Sequence, residues 1–142
     1  MGKISVVINT LNEEKNLPRA LASVKNFADE IVVVDMRSDD KTQSVARKFG
    51  AKVYEHERTN YVEPARNFAI SRVSGEWILI LDADEELTSG LARKLKEIVS
   101  GRIPSTSPRM GFDYYRIPRK NVIFGKWLKH SRWWPDYNIR FF

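Results

Sequence analysis

The sequence contains no cysteine, which excludes a disulfide framework and any metal site built on thiolates. Long apolar runs are also absent: the longest have about five residues, against the roughly 20 that a membrane-spanning helix needs. The N-terminus lacks the charged and then long apolar layout of a secretory signal peptide. We therefore expect a cytoplasmic protein, and its 142 residues suit one domain with a real core.

Charge is balanced over most of the chain and concentrated near its end. Residues 1–108 contain sixteen basic and sixteen acidic residues, so their charges cancel. Residues 109–142 contain eight basic and two acidic residues, which accounts for the net charge of +6. The same stretch holds ten of the sixteen aromatics. The proline- and serine-rich sequence "RIPSTSPRM" marks a boundary. We predict an αβ core over residues 1–101 and a basic aromatic segment over residues 102–142.

Apolar runs and amphipathic stretches alternate through the first hundred residues. Four runs are typical of buried strands: "KISVVIN", "EIVVVD", "AKVYEH" and "EWILILD". Helices are predicted from an Asn12 N-cap to about Ser23, over "SDDKTQSVARKFG", over "EPARNFAISRV", and from Thr88 to Val99. This order predicts an α/β fold with a mostly parallel sheet and helices on both faces.

Polar loops follow three of the predicted strands: the first loop (9–14), the second loop (35–40) and the third loop (82–86). In parallel sheets, ligands bind outside the carboxyl ends of the strands, so we expect these loops to face one crevice. The third loop crowds four carboxylates into five positions. Like charges this close oppose folding unless something cationic or solvent offsets them.

The spacing Asp82-x-Asp84 suits a hard divalent cation. Mg²⁺ and Mn²⁺ prefer oxygen ligands and often share one or two carboxylates with the phosphates of a substrate. The alternative is an exposed acidic turn, in which Glu85 and Glu86 favour the N-terminal dipole of the next helix. The spacing alone leaves both interpretations open.

Three spaced motifs resemble glycosyltransferase family 2, the inverting nucleotide-sugar-dependent enzymes of GT-A fold: "ISVVINTLNEEKNL", "VVVDMRSDDKT" and "PARNFAISRVSGEWILILDADEEL". The later "YYRIPRKNVIFGKWLKHSRWWPDYNIRFF" resembles the lipopolysaccharide core β-glucosyltransferase-like subgroup. The sequence departs from the usual pattern where Asn9 replaces a proline, Leu11 a tyrosine and Arg37 a glycine.

The resemblance implies that the core binds a nucleotide sugar, UDP-hexose, with Mg²⁺ or Mn²⁺. It assigns the metal to Asp84 and Asp82, and the uracil N3–H to the carboxylate of Asp35. It places Arg66 near the base or diphosphate, although Arg66 as a solvated helix charge and Asp35 as the start of a capped turn stay open. The implied nucleotide-sugar-binding residues are Thr10, Leu11, Glu13, Asp35, Arg66, Asp82 and Ala83.

An inverting transferase also needs a general base for the acceptor hydroxyl. The family's base belongs to the acceptor half, where Asp136 is a candidate here, with a turn aspartate as the alternative. The chain ends at "NIRFF", so we expect an inverting hexosyltransferase whose acceptor half is cut short, and the alternative is a fragment that binds nucleotide without transferring sugar.

The basic aromatic segment fits a saccharide or lipid-linked acceptor in lipopolysaccharide or other cell-envelope synthesis. Its lysines and arginines would meet the anionic inner face of the membrane, with Trp127, Trp133 and Trp134 at the interface. The alternative is that these aromatics pack on the core sheet.

Two other classes compete with this interpretation. "LILDADEEL" also resembles the motif of haloacid-dehalogenase-type phosphatases, but that motif normally opens the chain. The basic tail could serve a nucleic-acid-binding module. Because three acidic loops would repel a phosphate backbone, no nucleic-acid partner is expected.

The glycine that Arg37 replaces indicates a backbone conformation in which a side chain is strained. We predict that Arg37→Gly does not weaken nucleotide binding, because the change relieves the backbone and removes no implied ligand contact. Calorimetry with UDP measures this, and a clear loss of affinity would contradict it.

Overall fold

The computed structural model describes residues 2–102, 114–127, 129 and 136–142. The chain divides into two compact units, residues 1–105 and 106–142, called unit 1 and unit 2 below. In the described parts of both units, no helix is long and apolar enough to cross a membrane.

Unit 1 alternates strands and helices, as its sequence predicts. The elements are β1 (Ile4–Thr10), α1 (Leu17–Val24), β2 (Glu30–Asp35), α2 (Thr42–Lys48), β3 (Lys52–Glu55), α3 (Glu63–Ile70), β4 (Trp77–Asp82) and α4 (Ser89–Val99). The strands lie in the order β3-β2-β1-β4, and each neighbouring pair is parallel. The predicted α/β fold with a mostly parallel sheet is confirmed.

The centre of unit 1 is formed by β1 and β2, whose β-branched residues are almost all buried. Val7, Val32 and Val34 pack with Ala65 and Ala69 of α3 on one face of the sheet. Each fully buried aliphatic side chain of this size contributes about 1.5–3 kcal/mol to folding. A strand covered on both faces needs no polar alternation, which is why these runs are continuously apolar.

The predicted start of the first helix is wrong. The helix begins at Leu17, and Asn12 lies outside it with a positive φ of 56°. Its side-chain oxygen accepts a hydrogen bond from the Asp39 N–H at 2.8 Å, and its own N–H donates to Ser38 Oγ at 2.8 Å. Asn12 therefore joins two loops instead of capping a helix.

Two other local expectations are confirmed. The predicted helix from Thr88 to Val99 is α4 (Ser89–Val99), and Thr88 is its N-cap, because its hydroxyl accepts a hydrogen bond from the Leu91 N–H at 3.3 Å. Arg37 has a φ of 56°, in the left-handed region that favours glycine. The Arg37 carbonyl accepts from Arg58 Nη2 at 2.7 Å, which holds the turn in place.

Unit 2 contains short antiparallel strands. They are β5 (Tyr115–Arg119), which pairs with β8 (Asp136–Phe141), and the hairpin formed by β6 (Val122–Ile123) and β7 (Lys126–Trp127). The buried ring of Phe141 lies 6.2 Å from that of Tyr115, centroid to centroid. The assignment of residues 102–142 to an acceptor side stays a prediction.

A buried carboxylate joins the strands of unit 1 at their amino ends. Glu30 accepts hydrogen bonds from Ser5 Oγ at 2.6 Å, Lys52 Nζ at 2.6 Å and the Ser74 N–H at 2.8 Å. Burial alone would raise the pKa of Glu30, but these bonds lower it from the ordinary 4.5 to about 2.

The low pKa of Glu30 makes folding dependent on pH. A lowered folded-state pKa contributes stability that is present above 4.5 and lost as the pH falls toward 2, about 3 kcal/mol at most. We predict that Glu30→Gln lowers the free energy of unfolding by about 2 kcal/mol at neutral pH and flattens its acid dependence.

Urea unfolding between pH 7 and pH 2 measures both effects. Glu57→Gln removes an exposed carboxylate elsewhere in unit 1 and is the matched control. An unchanged acid slope in Glu30→Gln would contradict the prediction.

Candidate functional site

The three predicted loops begin at one edge of the sheet. Register pairs Thr10 of β1 with Asp35 of β2, and Asn9 of β1 with Asp82 of β4. Because all three strands run parallel, their carboxyl ends lie side by side. This edge is where open parallel sheets bind ligands.

Asp35 holds the ends of β1 and β2 together. Its side chain is fully buried, and its Oδ1 accepts from Thr10 Oγ1 at 2.9 Å and Ser38 Oγ at 2.5 Å. Its Oδ2 accepts from the Ser38 N–H and from Gln43 Nε2, each at 2.9 Å. These four donors match the four lone-pair positions of a carboxylate. A ligand N–H reaches Asp35 only if one of the donors moves.

The first and second loops are fastened to each other by side chains that bond backbone N–H groups. Thr42 Oγ1 accepts from the Glu13 N–H at 2.8 Å, and Asp40 accepts from the Glu14 N–H at 3.1 Å. Burial would raise the pKa of Asp40, but hydrogen bonds from Thr42 and Glu14 lower it. The two loops are thus joined by hydrogen bonds within the chain.

The remaining predicted residues of the first loop differ in exposure. Thr10 is buried, and its hydroxyl is used on Asp35, whereas Leu11 is 36% exposed. The carboxylate of Glu13 accepts from Asn16 Nδ2 at 2.9 Å. Of these three side chains, Leu11 offers the most surface to a ligand.

Two acidic side chains of the third loop, Asp82 and Glu85, already have partners within unit 1. Asp82 forms an ion pair with Arg66 of α3 at 3.2 Å, so Arg66 is not a solvated helix charge. Glu85 turns back and accepts the Asp82 N–H at 3.0 Å. Ala83, between the two predicted metal ligands, is 5% exposed. The turn is therefore compact and anchored to the sheet.

Glu86 and Asp84 differ sharply in their surroundings. Glu86 forms an ion pair of 2.6 Å with Arg19 of α1, which also donates to the Asp84 backbone carbonyl at 3.4 Å. The carboxylate of Asp84 is exposed, and no side chain in the described ranges bonds it. Of the four acids in this loop, Asp84 is thus the one left for an external cation.

The carboxylates of the third loop fit a metal ion that takes most of its ligands from water and substrate. In the part of the chain that the structure describes, no three histidine or carboxylate side chains converge into a metal cage. Mg²⁺ and Mn²⁺ need no such cage, because they bind through one or two carboxylates plus waters and substrate phosphates. Asp84 and Asp82 can supply those carboxylates.

Two buried donors beside Asp82 have no partner among the described residues: Asn9 Nδ2 and Arg66 Nε. An unmade hydrogen bond of this kind costs about 1–3 kcal/mol, so both donors fit an acceptor that binds at this edge. The sequence placed Asn9 in the first loop and marked it as a replacement for proline, but assigned it no ligand contact. Its polarity at the end of a buried apolar strand was the available signal.

Asp136, the candidate base, lies at the start of β8 in unit 2. The described part of the structure does not include the Asp136 side chain. It also does not include Trp133 and Trp134. Their predicted roles stay predictions.

A parallel α/β sheet with acidic loops at its carboxyl edge is an arrangement in which open sheets bind ligands. The sequence matches glycosyl transferase family 2 over residues 5–134, and the chain belongs to that family.

Curated relatives agree with this assignment. The chain is 44% identical over 98 residues to an uncharacterized glycosyltransferase of Rickettsia typhi, covering 69% of this chain and 33% of that protein. It is 34% identical over 106 residues to the GalNAc(5)-diNAcBac-PP-undecaprenol beta-1,3-glucosyltransferase of Campylobacter jejuni, covering 68% and 34%. The chain thus spans about a third of the length of these relatives.

Solved structures show the same fold. TarS of S. aureus superimposes with a TM-score of 0.64 at 21% identity, covering 87% of this chain and 42% of that one. Glucosyl-3-phosphoglycerate synthase of Mycobacterium tuberculosis, solved with Mn²⁺ and UDP-glucose, gives 0.58 at 21%, covering 74% and 40%. The predicted GT-A fold and family are therefore confirmed, whereas the lipopolysaccharide subgroup stays a prediction.

The four hydrogen bonds to Asp35 predict that its substitution lowers the free energy of unfolding. Asp35→Asn replaces one acceptor oxygen with a donor facing buried donors, so we expect a loss of about 2–3 kcal/mol in the free energy of unfolding. The control is Asp39→Asn, whose side chain is 77% exposed and should change stability by about 0.5 kcal/mol at most.

Urea unfolding and UDP titration of both variants separate the two roles of Asp35. Wild-type stability together with lost UDP binding would show that Asp35 serves the ligand and not the loop.

Proposed function

We propose that the chain binds a nucleotide sugar, UDP-hexose, as the donor-binding portion of an inverting glycosyltransferase. The observation that carries the proposal is the exposed carboxylate of Asp84, which no described side chain bonds, at the shared carboxyl edge of β1, β2 and β4. Family membership supports transferase chemistry. The solved M. tuberculosis synthase with Mn²⁺ and UDP-glucose supports the donor class.

Asp84 and Asp82 would hold Mg²⁺ or Mn²⁺, which when bound supplies positive charge to a leaving diphosphate. The protein's own contribution is to keep these carboxylates in place. Arg66 fixes Asp82 through their ion pair, and Arg19 fixes the Asp84 backbone through its carbonyl. Arg66 Nε then serves as a donor to the ligand beside Asp82.

The nucleoside would lie over the first and second loops. We propose that Leu11 packs against it, with Thr10, Glu13 and Ala83 completing the walls. For Asp35 to accept the uracil N3–H, the amide of Gln43 is the donor that gives way, because it also bonds Glu55 Oε1 at 3.0 Å and keeps that partner when it leaves.

The acceptor is proposed to be a saccharide or a lipid-linked saccharide of the cell envelope. The C. jejuni relative supports this, because its name specifies a lipid-linked acceptor. In direct displacement, a carboxylate takes the proton of the acceptor hydroxyl as that hydroxyl attacks the anomeric carbon, and Asp136 is the proposed base. We also propose that the protein works in the cytoplasm on the inner face of the membrane.

Nucleotide binding without transfer is the second candidate function. It needs only the carboxyl edge of the sheet in unit 1, which the described contacts of Asp35 and Asp82 build. The family match favours both candidates over the haloacid-dehalogenase-type phosphatase and the nucleic-acid-binding module.

Calorimetry with UDP, ADP and GDP, with and without Mn²⁺, tests donor binding. We expect UDP to bind most tightly, and Asp84→Ala or removal of Mn²⁺ to weaken UDP binding about tenfold or more, because a phosphate-bridging ligand is lost. Glu86→Gln removes a neighbouring charge that is paired with Arg19 and should leave affinity within about twofold.

Equal affinity for the three nucleotides would contradict the UDP assignment. Unchanged UDP affinity in Asp84→Ala would contradict the metal site.

A further inference from the structure

Large exposed apolar side chains are concentrated in one short hairpin of unit 2. Val122, Ile123, Phe124 and Trp127 are 55%, 40%, 101% and 37% exposed. They fall within the six residues of the β6–β7 pair, called the 122–127 hairpin here. Scattered apolar residues are normal on a protein surface, but a contiguous group marks an interaction site.

The backbone at the tip of this hairpin adopts a conformation that is strained for a phenylalanine. Phe124 and Gly125 have φ values of 49° and 74°, the left-handed pair of a tight two-residue turn. Asparagine or aspartate usually precedes glycine in such a turn, because a bulky side chain is strained there. Phe124 bears this strain while its ring is wholly in solvent, so the fold gains nothing from a phenylalanine at this place.

The apolar tip is surrounded by charge of one sign. Lys120 Nζ and Lys129 Nζ lie 4.7 and 4.5 Å from the centroid of the Trp127 ring, and Lys126 is exposed beside the turn. Residues 114–127 contain no acidic residue. An apolar tip, a tryptophan and a ring of ammonium groups are the features of a surface that meets hydrocarbon and anionic headgroups together.

We propose that the 122–127 hairpin docks the protein on an anionic lipid bilayer. Phe124 inserts at the boundary between acyl chains and headgroups, and Lys120, Lys126 and Lys129 bind the headgroups. A second copy of the chain fits less well, because it presents the same positive charge. A nucleic acid fits less well, because Val122 and Ile123 cannot stack on bases. Docking agrees with a lipid-linked acceptor but does not depend on UDP binding.

Co-sedimentation of the full chain with vesicles tests the proposal. Vesicles of phosphatidylcholine alone are compared with vesicles in which about one-third of the lipid is phosphatidylglycerol. We expect binding to the anionic vesicles only, weakened about tenfold by Phe124→Ser. Lys126→Glu should weaken it about 25-fold, since each unit of charge near the surface is worth about fivefold and the change alters the charge by two units.

Two matched variants in unit 1 serve as controls. Tyr61→Ser removes an aromatic side chain that is 64% exposed, and Lys94→Glu makes the same charge reversal on α4. Both should bind anionic vesicles within about twofold of wild type. Circular dichroism spectra and urea unfolding midpoints should match wild type in all four variants, which shows that each one is folded.

Several results would overturn the proposal. They are absence of binding to anionic vesicles, equal binding to neutral ones, and wild-type binding by Phe124→Ser. Self-association in the absence of lipid that Phe124→Ser abolishes would assign the hairpin to a second copy. Oligonucleotide binding that Phe124→Ser weakens, without vesicle binding, would assign it to nucleic acid.

Discussion

The carboxyl edge of the sheet in unit 1 depends on the hydrogen bonds of one buried carboxylate, that of Asp35. It ties the ends of β1 and β2 through Thr10 and sets the second loop through Ser38. A buried charge is tolerable only when its oxygens are fully hydrogen-bonded, and here four donors meet it. Because those donors come from β1, the second loop and α2, this one side chain joins three elements, and Thr42 and Asp40 add the bonds to the first loop. The amino edge of the sheet has a counterpart in Glu30.

In the acidic third loop, contacts within unit 1 pair three of the four carboxylates and leave that of Asp84 exposed. Arg66 and Arg19 neutralise Asp82 and Glu86, and Glu85 is turned toward the backbone of its own loop. Local crowding is thereby relieved without a metal, which explains how the loop can fold before any ligand binds. Of these four acids, Asp84 is the one whose carboxylate no described side chain or backbone N–H bonds. Divalent-cation binding at such a place costs little reorganisation, because the neighbouring charges are already paired.

Much of unit 1 could be predicted because its signals are local. Continuous β-branched runs predicted buried strands, and Thr88 predicted the start of α4 correctly. The start of α1 was missed, because Asn12 has better partners in Ser38 and Asp39 than in the next turn of its own chain. Likewise, Asn9 became a candidate ligand donor through its buried amide beside Asp82, for which the described residues supply no partner. Contacts between residues distant in the chain leave no local pattern to read.

The sequence by itself determined the alternation of strands and helices, the acidic residues that follow the strands, and the family motifs. Periodicity and residue type are enough for this, because each strand and helix buries its own apolar face. Only the tertiary structure decided which acids are already paired, that Asp35 is saturated by donors, and that the apolar residues of the 122–127 hairpin stand in solvent. These are properties of side chains that meet across the fold, and their energies depend on distance and burial, which a linear sequence does not contain.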